Sequence, residues 1–215
     1  MKLGDILSLK TMRFQDEPRE KDLKVIRQKP NLLKGFPIEY FKGNPPPKND
    51  SSKVKIELRK LSDLPHDIDF VKEMDAIDKV FKNYCDIQGL DFPESLVNQL
   101  IEDGRIFTRT LKIHYNRPRP YQLARHPLIN IDIGKEAFME SMNTPSYPSG
   151  HSCQGILIAK VMSDIYPEHE YNFMNLGRDI SRSRNIGRAH YETDSSFGIK
   201  LGYSMYDYLK KMKRL

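Results

Sequence analysis

From about residue 67 onward, apolar side chains recur every three or four positions, the spacing that places them on one face of an α-helix. In DIDFVKEMDAIDKVFKNY, apolar residues follow one another at intervals of four, three and four: Phe70, Met74, Ile77 and Phe81. PESLVNQLIEDGRIFTRTLKIHY carries a similar stripe and begins with Pro93, a residue suited to the first turn of a helix. Both stretches are therefore predicted to be helices.

Three further helices are predicted in SGHSCQGILIAKVMSDIY, EHEYNFMNLGRDISRSR and HYETDSSFGIKLGYSMYDYLKKMKRL. With helices following one another, no convincing sheet and no internal repeat, the sequence indicates an all-α bundle. In the last helix, Gly198 and Gly202 lie four residues apart on one face. This spacing favours close packing against another helix.

The first 60 residues lack sustained helical periodicity and contain KGNPPPKNDSS, which is typical of a surface loop or linker. Within them, KVKIEL at 53–58 alternates apolar and polar residues like a short strand. This segment holds 15 Lys and Arg against 8 Asp and Glu, whereas residues 61–215 hold 20 against 21. We therefore expect a basic, mostly irregular extension at 1–60, able to touch a polyanion or a membrane surface weakly, and a helical domain at 61–215.

No apolar run approaches the roughly 20 residues that span a bilayer. MKLGDILSLK is a poor secretory signal because Asp5 interrupts its apolar part. Cys85 and Cys153 lie far apart and form no CxxC pair, so both are expected to be free, buried thiols. These features predict a cytoplasmic protein without a transmembrane segment.

Three polar segments carry the candidate chemistry. KIHYNRPRPY places Lys112 and Arg119 near a helix end that the prolines terminate, although such a cluster alone is usually a solvated helix end. In PSYPSGHS, Ser149 suits a helix N-cap, and the N–H groups of Gly150 and His151 suit an anion. A capped helix with a surface histidine explains this second stretch equally well.

The third segment is SRSRNIGRAHYETD, in which Arg184 precedes His190 by six residues and Asp194 follows it by four. On a helix, the carboxylate of Asp194 can hold one ring nitrogen of His190 and leave the other free to act as a nucleophile. A His and an Asp at this spacing are common, so the pairing by itself is weak evidence for a catalytic role.

Together the segments supply three cations, backbone N–H donors and two histidines, which are the groups that phosphoryl transfer needs. Ligand types alone also allow a metal site at His151, His190 and Asp194. The nearby cations would repel a divalent ion, and these positions lack a second carboxylate. We therefore expect neither a metal nor another cofactor.

The same residues stand in a fixed order along the chain: Lys112, six residues, Arg119-Pro120; then Pro148-Ser149-Gly150-His151; then Ser183-Arg184, five residues, His190, three residues and Asp194. This series resembles the three-part signature of the type 2 phosphatidic acid phosphatase (PAP2) superfamily, which includes class A acid phosphatases and vanadium-dependent haloperoxidases. The resemblance covers residues 112–194 and implies the helical fold of that superfamily.

The resemblance also implies roles. His190 would be the nucleophile, Asp194 would fix its tautomer, and His151 would exchange protons with the leaving group and with water. The phosphoryl oxygens would be held by the remaining signature residues: Lys112, Arg119, Ser149, Gly150 and Arg184.

The expected function is hydrolysis of a phosphate ester through a phosphohistidine. Lipid-directed members of this superfamily are usually polytopic membrane proteins and soluble broad-range members are usually exported, so a water-soluble phosphomonoester or diphosphate is the expected small substrate. Two alternatives stay open. A vanadate-dependent haloperoxidase would use the same residues, and a non-enzymatic protein would bind nucleic acid or a partner through residues 1–60.

Overall fold

The computed structural model describes residues 2–134 and 139–215, and these residues form helices without strands. In chain order the α-helices are α1 Leu3–Thr11, α2 Glu20–Ile26, α3 Ile38–Phe41, α4 Ser52–Asp63, α5 Ile68–Glu73, α6 Ile77–Gln88, α7 Glu94–Tyr115, α8 Pro120–Ala124, α9 Gly150–Ile165, α10 Glu170–Ile186 and α11 Glu192–Lys211. Short 3-10 turns at Glu140–Asn143 and Pro167–His169 precede α9 and α10. The predicted all-α fold is confirmed.

Helix α9 lies at the centre of the bundle, and α7, α10 and α11 pack around it. Most of its side chains are buried, including those of Cys153, Leu157 and Met162, because it has neighbours on several sides. Glycine allows α10 to approach closely: a Cβ on Gly177 would stand 2.8 Å from the carbonyl oxygen of Gly155. The position of α9 is therefore fixed by the core itself.

Two glycines bring α11 equally close to the beginning of α9. A Cβ on Gly198 would stand 2.5 Å from the carbonyl oxygen of Ser149, and a Cβ on Gly202 would stand 2.5 Å from that of Cys153. The close packing predicted from the four-residue spacing is confirmed. As a result, the starts of α9 and α11 lie side by side.

The predicted helices in residues 93–115, 149–166, 168–184 and 190–215 correspond to α7, α9, α10 and α11. The single helix predicted in residues 67–84 is instead divided into α5 and α6, with Met74–Ala76 between them. Both helices bury apolar side chains, Val71 in α5 and Ile77, Val80 and Phe81 in α6. The apolar spacing therefore continues across the break and does not reveal it.

The first 60 residues are more helical than predicted, since they contain α1, α2, α3 and most of α4. The strand predicted for KVKIEL is wrong. These residues lie in α4, where Val54, Leu58 and Leu61 are buried at helical spacing while Ile56 is exposed. The predicted domain boundary between residues 60 and 61 falls inside α4, so no end of a helix marks it. The division into an extension and a helical domain stays a prediction.

Hydrogen bonds and packing attach the N-terminal quarter to the rest of the bundle. The carboxylate of Asp103 in α7 accepts from the backbone N–H groups of Asn31 and Leu33, at 2.8 and 2.7 Å. Leu33 is completely buried in the main core. At the other end of the chain, Tyr208 and Arg214 both donate to the Lys34 carbonyl. The quarter is therefore part of the packed structure.

Cys85 and Cys153 are free and buried, as predicted. Within residues 2–134 and 139–215, no helix combines the length and the apolar character needed to cross a membrane.

Candidate active site

The three predicted segments meet around one cavity of about 500 Å³. Five of the eight predicted site residues line it: Lys112, Arg119, Gly150, His151 and His190. The other three are completely buried: Ser149, Arg184 and Asp194. The ends of α7 and α10 and the starts of α8, α9 and α11 therefore converge, although they are distant along the chain.

His190 and Asp194 form a buried hydrogen-bonded pair, in which the ring Nδ1 lies 3.1 Å from Asp194 Oδ2. Asp194 also accepts from the Tyr191 backbone N–H and from the Ser146 hydroxyl. Burial alone would raise the pKa of Asp194, but the charge of Arg117 and the hydrogen bonds from His190 and Ser146 hold that pKa far below its usual value. The ionised carboxylate can only accept, so Nδ1 of His190 carries the proton.

The other ring nitrogen of His190, Nε2, keeps its lone pair. Arg119 Nη1 lies 3.0 Å from it, and a guanidinium can only donate. Burial, followed by the charge of Arg119, lowers the pKa of His190 well below 6.5, so the ring is neutral at neutral pH. A neutral imidazole with its lone pair on a cavity wall has the chemistry of a nucleophile.

Arg119 is a completely buried cation held by backbone carbonyls. Its Nε donates to Thr144 at 2.8 Å, its Nη2 to Ser141 at 2.7 Å and its Nη1 to Ala189 at 2.6 Å. Burial lowers the pKa of Arg119 to about 9, which leaves it protonated at neutral pH. These carbonyls fix the plane of the guanidinium beside His190.

Lys112 is buried at the end of α7, where its Nζ donates to the Pro145 carbonyl at 2.5 Å. Burial, followed by the charges of Arg119 and other neighbouring cations, lowers the pKa of Lys112 well below its usual value. An anion in the cavity would oppose this effect and favour the charged amine. The arrangement is therefore suited to binding an oxyanion.

Arg184, on α10, is also completely buried. Its Nη2 donates to the Ser141 hydroxyl at 3.2 Å, and its Nη1 donates to the carboxylate of Asp75 at 2.8 Å. Its Nε has no hydrogen-bond partner among the described residues. The guanidinium thus relies on a single carboxylate, that of Asp75, to balance its charge within this part of the chain.

Ser149 caps α9, as predicted: its Oγ accepts from the Ser152 backbone N–H at 3.2 Å and from the Ser152 hydroxyl at 2.8 Å. The Ser152 hydroxyl accepts in turn from the Ser181 hydroxyl at 2.8 Å. The hydroxyls therefore donate in one direction, towards Ser149. In this structure the Ser149 hydroxyl contacts the Ser152 hydroxyl and does not line the cavity.

Asp75, between α5 and α6, lines the cavity and was missed by the sequence analysis. Its Oδ1 lies 3.3 Å from His151 Nε2, and its backbone oxygen lies 3.1 Å from the same nitrogen. The hydrogen bond with His151 and the charge of Arg184 lower the pKa of Asp75 to about 2, against the opposing effect of partial burial. In the sequence, Asp75 falls between the apolar positions of a predicted helix, where a carboxylate is usually solvated.

His151, at the first turn of α9, is neutral at neutral pH. Burial and the charge of Arg184 lower its pKa to about 4, although Asp75 opposes this shift. To act as an acid, His151 has to gain a proton, and the negative charge of a bound phosphoryl group would favour that gain.

Arg117 and Glu57 support the His190–Asp194 pair from outside the cavity, and the sequence did not indicate either residue. Arg117 Nη1 donates to Asp194 Oδ1 at 2.5 Å, while its Nη2 lies 3.4 Å from Glu57 Oε2. The guanidinium also lies over the ring of Tyr191, 3.8 Å from its centre. Glu57 accepts from the Thr193 backbone N–H at 2.6 Å, so α4 reaches the start of α11. RPRP indicated only a helix end, and no sequence signal linked Glu57 to the site.

Across residues 2–134 and 139–215, no three His, Cys, Asp or Glu side chains are grouped so that they could hold a metal ion. The expectation that the chemistry needs neither a metal nor another cofactor stays a prediction.

The fold and the buried cations together define a helical protein with a cationic cavity whose chemistry suits an oxyanion. The family model of the PAP2 superfamily matches residues 99–212, just over half of the chain, and the chain belongs to this superfamily.

Three proteins that are similar to this chain are acid phosphatases. The non-specific acid phosphatase of Salmonella typhimurium is 33% identical over 123 residues, which cover 54% of this chain and 46% of that protein. The non-specific acid phosphatase of Providencia stuartii is 36% identical over 107 residues, 48% of this chain and 42% of that protein. The acid phosphatase of Zymomonas mobilis is 26% identical over 140 residues, 59% of this chain and 47% of that protein. The matched region thus spans somewhat less than half the length of each relative.

Among solved structures, that of the first bacterial vanadium-dependent iodoperoxidase is similar to this chain, with a TM-score of 0.59 and 17% sequence identity. The likeness covers 78% of this chain and 51% of the iodoperoxidase chain. At this identity it shows that the fold is shared.

Proposed function

We propose that this chain is a phosphatase that hydrolyses a phosphate ester through a phosphohistidine at His190. One observation carries the proposal: a neutral His190, its Nδ1 proton held by Asp194, keeps the lone pair of Nε2 on the wall of a cavity lined by cations. Membership of the PAP2 superfamily and the likeness to acid phosphatases support the same activity.

In the first step, Nε2 of His190 attacks phosphorus opposite the leaving oxygen. A P–N bond forms as the P–O bond breaks, and a protonated His151 gives its proton to the leaving oxygen. The hydrogen bond that Arg119 makes with Nε2 passes to a phosphoryl oxygen as the substrate enters. The carboxylate of Asp194 stabilises the positive charge that His190 acquires.

In the second step, water attacks phosphorus while His151 takes its proton. The P–N bond breaks, inorganic phosphate is released and His190 returns to the neutral ring. In both steps, charge on the phosphoryl oxygens would be neutralised by the remaining site residues: Lys112, Arg119, Arg184, the Ser149 hydroxyl and the Gly150 N–H.

The first test is hydrolysis of p-nitrophenyl phosphate by the His190→Ala variant. Turnover should disappear because no other group supplies the nucleophile. His66→Ala, which removes an exposed histidine, is the matched control. Full activity in His190→Ala would refute the mechanism.

A second test separates the role of His151. The His151→Ala variant should lose about 100-fold or more on an alkyl phosphate and much less on p-nitrophenyl phosphate, whose leaving group needs little protonation. Equal losses on both substrates would contradict the assignment. EDTA should leave the rate unchanged, and vanadate should inhibit as an analogue of the five-coordinate state.

The proposed substrate is a water-soluble phosphomonoester or diphosphate. Arg105 and Arg109 line the same cavity and precede Lys112 by two turns and one turn of α7, so a leaving group with a further negative charge would meet cations there. Rates on sugar phosphates, nucleoside mono- and diphosphates and phosphatidic acid, each with the His190→Ala control, would identify the class. Activity restricted to phosphatidic acid would overturn the water-soluble assignment.

A vanadate-dependent haloperoxidase is the second candidate, favoured only by the fold shared with the iodoperoxidase. Oxidation of iodide or bromide in the presence of vanadate and peroxide, at a rate that depends on His190, would establish it in place of the phosphatase.

We also propose that residues 1–60 make weak contacts with polyanions or membrane surfaces. Lys10, Arg13 and Lys48 line one surface groove, which supports this proposal. Deleting residues 1–60 would remove core residues of α4. The cleaner test is therefore the joint replacement of Lys10, Arg13 and Lys48 by glutamine, with heparin and anionic vesicles as probes. Unchanged binding would refute the proposal. Loss of binding with full phosphatase activity would assign the two properties to separate parts of the chain.

We propose a cytoplasmic location because Cys85 and Cys153 are both free thiols, which a reducing compartment favours. Fractionation of the native host cells tests it, and recovery outside the cytoplasm would overturn it.

A further inference from the structure

One carboxylate contacts two groups that have different tasks in the proposed reaction. Asp75 Oδ1 lies 2.8 Å from Arg184 Nη1 and 3.3 Å from His151 Nε2. In the proposed function, Arg184 binds a phosphoryl oxygen and His151 serves the leaving group. A carboxylate oxygen and a phosphoryl oxygen are both anionic acceptors, so they compete for the same guanidinium N–H.

The contact with Arg184 differs from an ordinary surface ion pair. Arg184 is completely buried, and its other contacts are neutral: the Ser141 hydroxyl and the sulfur of Met139. The side chain of Asp75 is 43% exposed and lines the cavity that the substrate would enter. The charge of a buried arginine is thus balanced from the substrate side.

The position of Asp75 in the chain allows its side chain to leave this contact. Asp75 lies between α5 and α6 with its half-exposed side chain on the cavity, so the carboxylate has space to turn away. Its backbone oxygen accepts from His151 Nε2 independently of the side chain. The histidine can therefore keep one anchor when the carboxylate is displaced.

We propose that Asp75 is an internal substitute for the phosphoryl group, which holds Arg184 and His151 in place until the substrate displaces its carboxylate from Arg184. Asp75 is then a positioning residue with two opposing effects. It weakens oxyanion binding by competing for Arg184, and it assists turnover of poor leaving groups by orienting His151. The inference rests on the function proposed above for these two residues.

The test uses vanadate binding, measured by calorimetry without turnover, on the full chain and on the Asp75→Asn and Asp75→Ala variants. Both variants should bind vanadate about tenfold more tightly, the factor that corresponds to one hydrogen bond to a charged group. Asp78→Asn is the matched control, since Asp78 lines the same cavity but makes no ion pair among the described residues. It measures the general effect of removing one negative charge.

The kinetic readout separates positioning from simple structural damage. In Asp75→Ala, kcat on an alkyl phosphate should fall about tenfold relative to kcat on p-nitrophenyl phosphate, while KM falls for both. Circular dichroism and the melting temperature verify that the variants are folded. Vanadate affinity equal to that of Asp78→Asn, or an unchanged ratio of the two kcat values, would overturn the proposal.

Failure of this inference can be told from failure of the proposed function. Tighter vanadate binding by both Asp75 variants, in a protein that hydrolyses no phosphate ester, would support the internal substitute and overturn the phosphatase. Hydrolysis that depends on His190, with a vanadate affinity that the Asp75 variants do not change, would support the phosphatase and overturn the internal substitute.

Discussion

Replacing Arg117 with methionine should destabilise the fold and impair His190 at the same time. Arg117 balances the charge of Asp194 at 2.5 Å, and the two side chains are 1% and 0% exposed. Methionine fills much of the same volume but leaves the carboxylate buried without its cation. Removing one partner of a buried pair costs about 3–5 kcal/mol, a large part of a typical stability of about 5–15 kcal/mol.

The assay is urea unfolding followed by the circular dichroism of the helices, with the free energy of unfolding taken from linear extrapolation. Lys82→Met is the control, because it breaks the exposed Lys82–Asp86 pair and should leave the midpoint unchanged. Adding Asp194→Asn to Arg117→Met should restore part of the lost stability, since position 194 then carries no unpaired charge and only Glu57 still lacks Arg117. The kcat of Arg117→Met should fall because Asp194 no longer holds His190 in one orientation.

The pH dependence of unfolding tests the same pair. Asp194 has a pKa that is lower in the folded chain than the value of about 3.9 in the unfolded chain. Its contribution to stability is therefore fully present above about pH 5 and is lost as the pH falls through 4 towards the folded pKa. In Arg117→Met this contribution shrinks, so stability should fall less between about pH 5 and 3. A cost below about 1 kcal/mol with an unchanged acid slope would refute the reasoning.

Three further predictions follow from the packing. Gly198→Ala should cost about 1–3 kcal/mol in urea unfolding and lower kcat, because its Cβ would meet the N-cap of α9, whereas Gly4→Ala has open space around it and should do neither. Asp103→Asn should cost about 1–3 kcal/mol and speed tryptic cleavage near residue 30; digestion at the wild-type rate would contradict the proposed attachment. Burial raises the pKa of both thiols, so Cys85 and Cys153 should react with a thiol reagent only in denaturant, and rapid labelling of the native protein would count against their burial.

The sequence was sufficient to predict the long helices and the signature residues. Helix α7 is amphipathic over its whole length, and Ser149 precedes α9 in the position where a hydroxyl caps a helix. For such elements, local propensity and tertiary packing favour the same structure. The three segments around Lys112, His151 and His190 could be grouped because each carries chemistry that is recognisable in the sequence.

The partners of these residues could not be predicted in the same way. Asp75, Glu57 and Arg117 have other charged residues near them in the sequence, and only the tertiary packing decides which carboxylate meets which guanidinium. The strand prediction for KVKIEL failed because its window ended before Leu61. The spacing of Val54, Leu58 and Leu61 is helical, but it extends beyond the alternating segment.

The central position of α9 joins the chemistry of this protein to its folding. The first turn of α9 forms one wall of the cavity, and the rest of the helix is enclosed by α7, α10 and α11. Oxyanion affinity should therefore respond to substitutions deep in the core, so a variant with every signature residue intact can still lose its ligand if α9 packs less tightly.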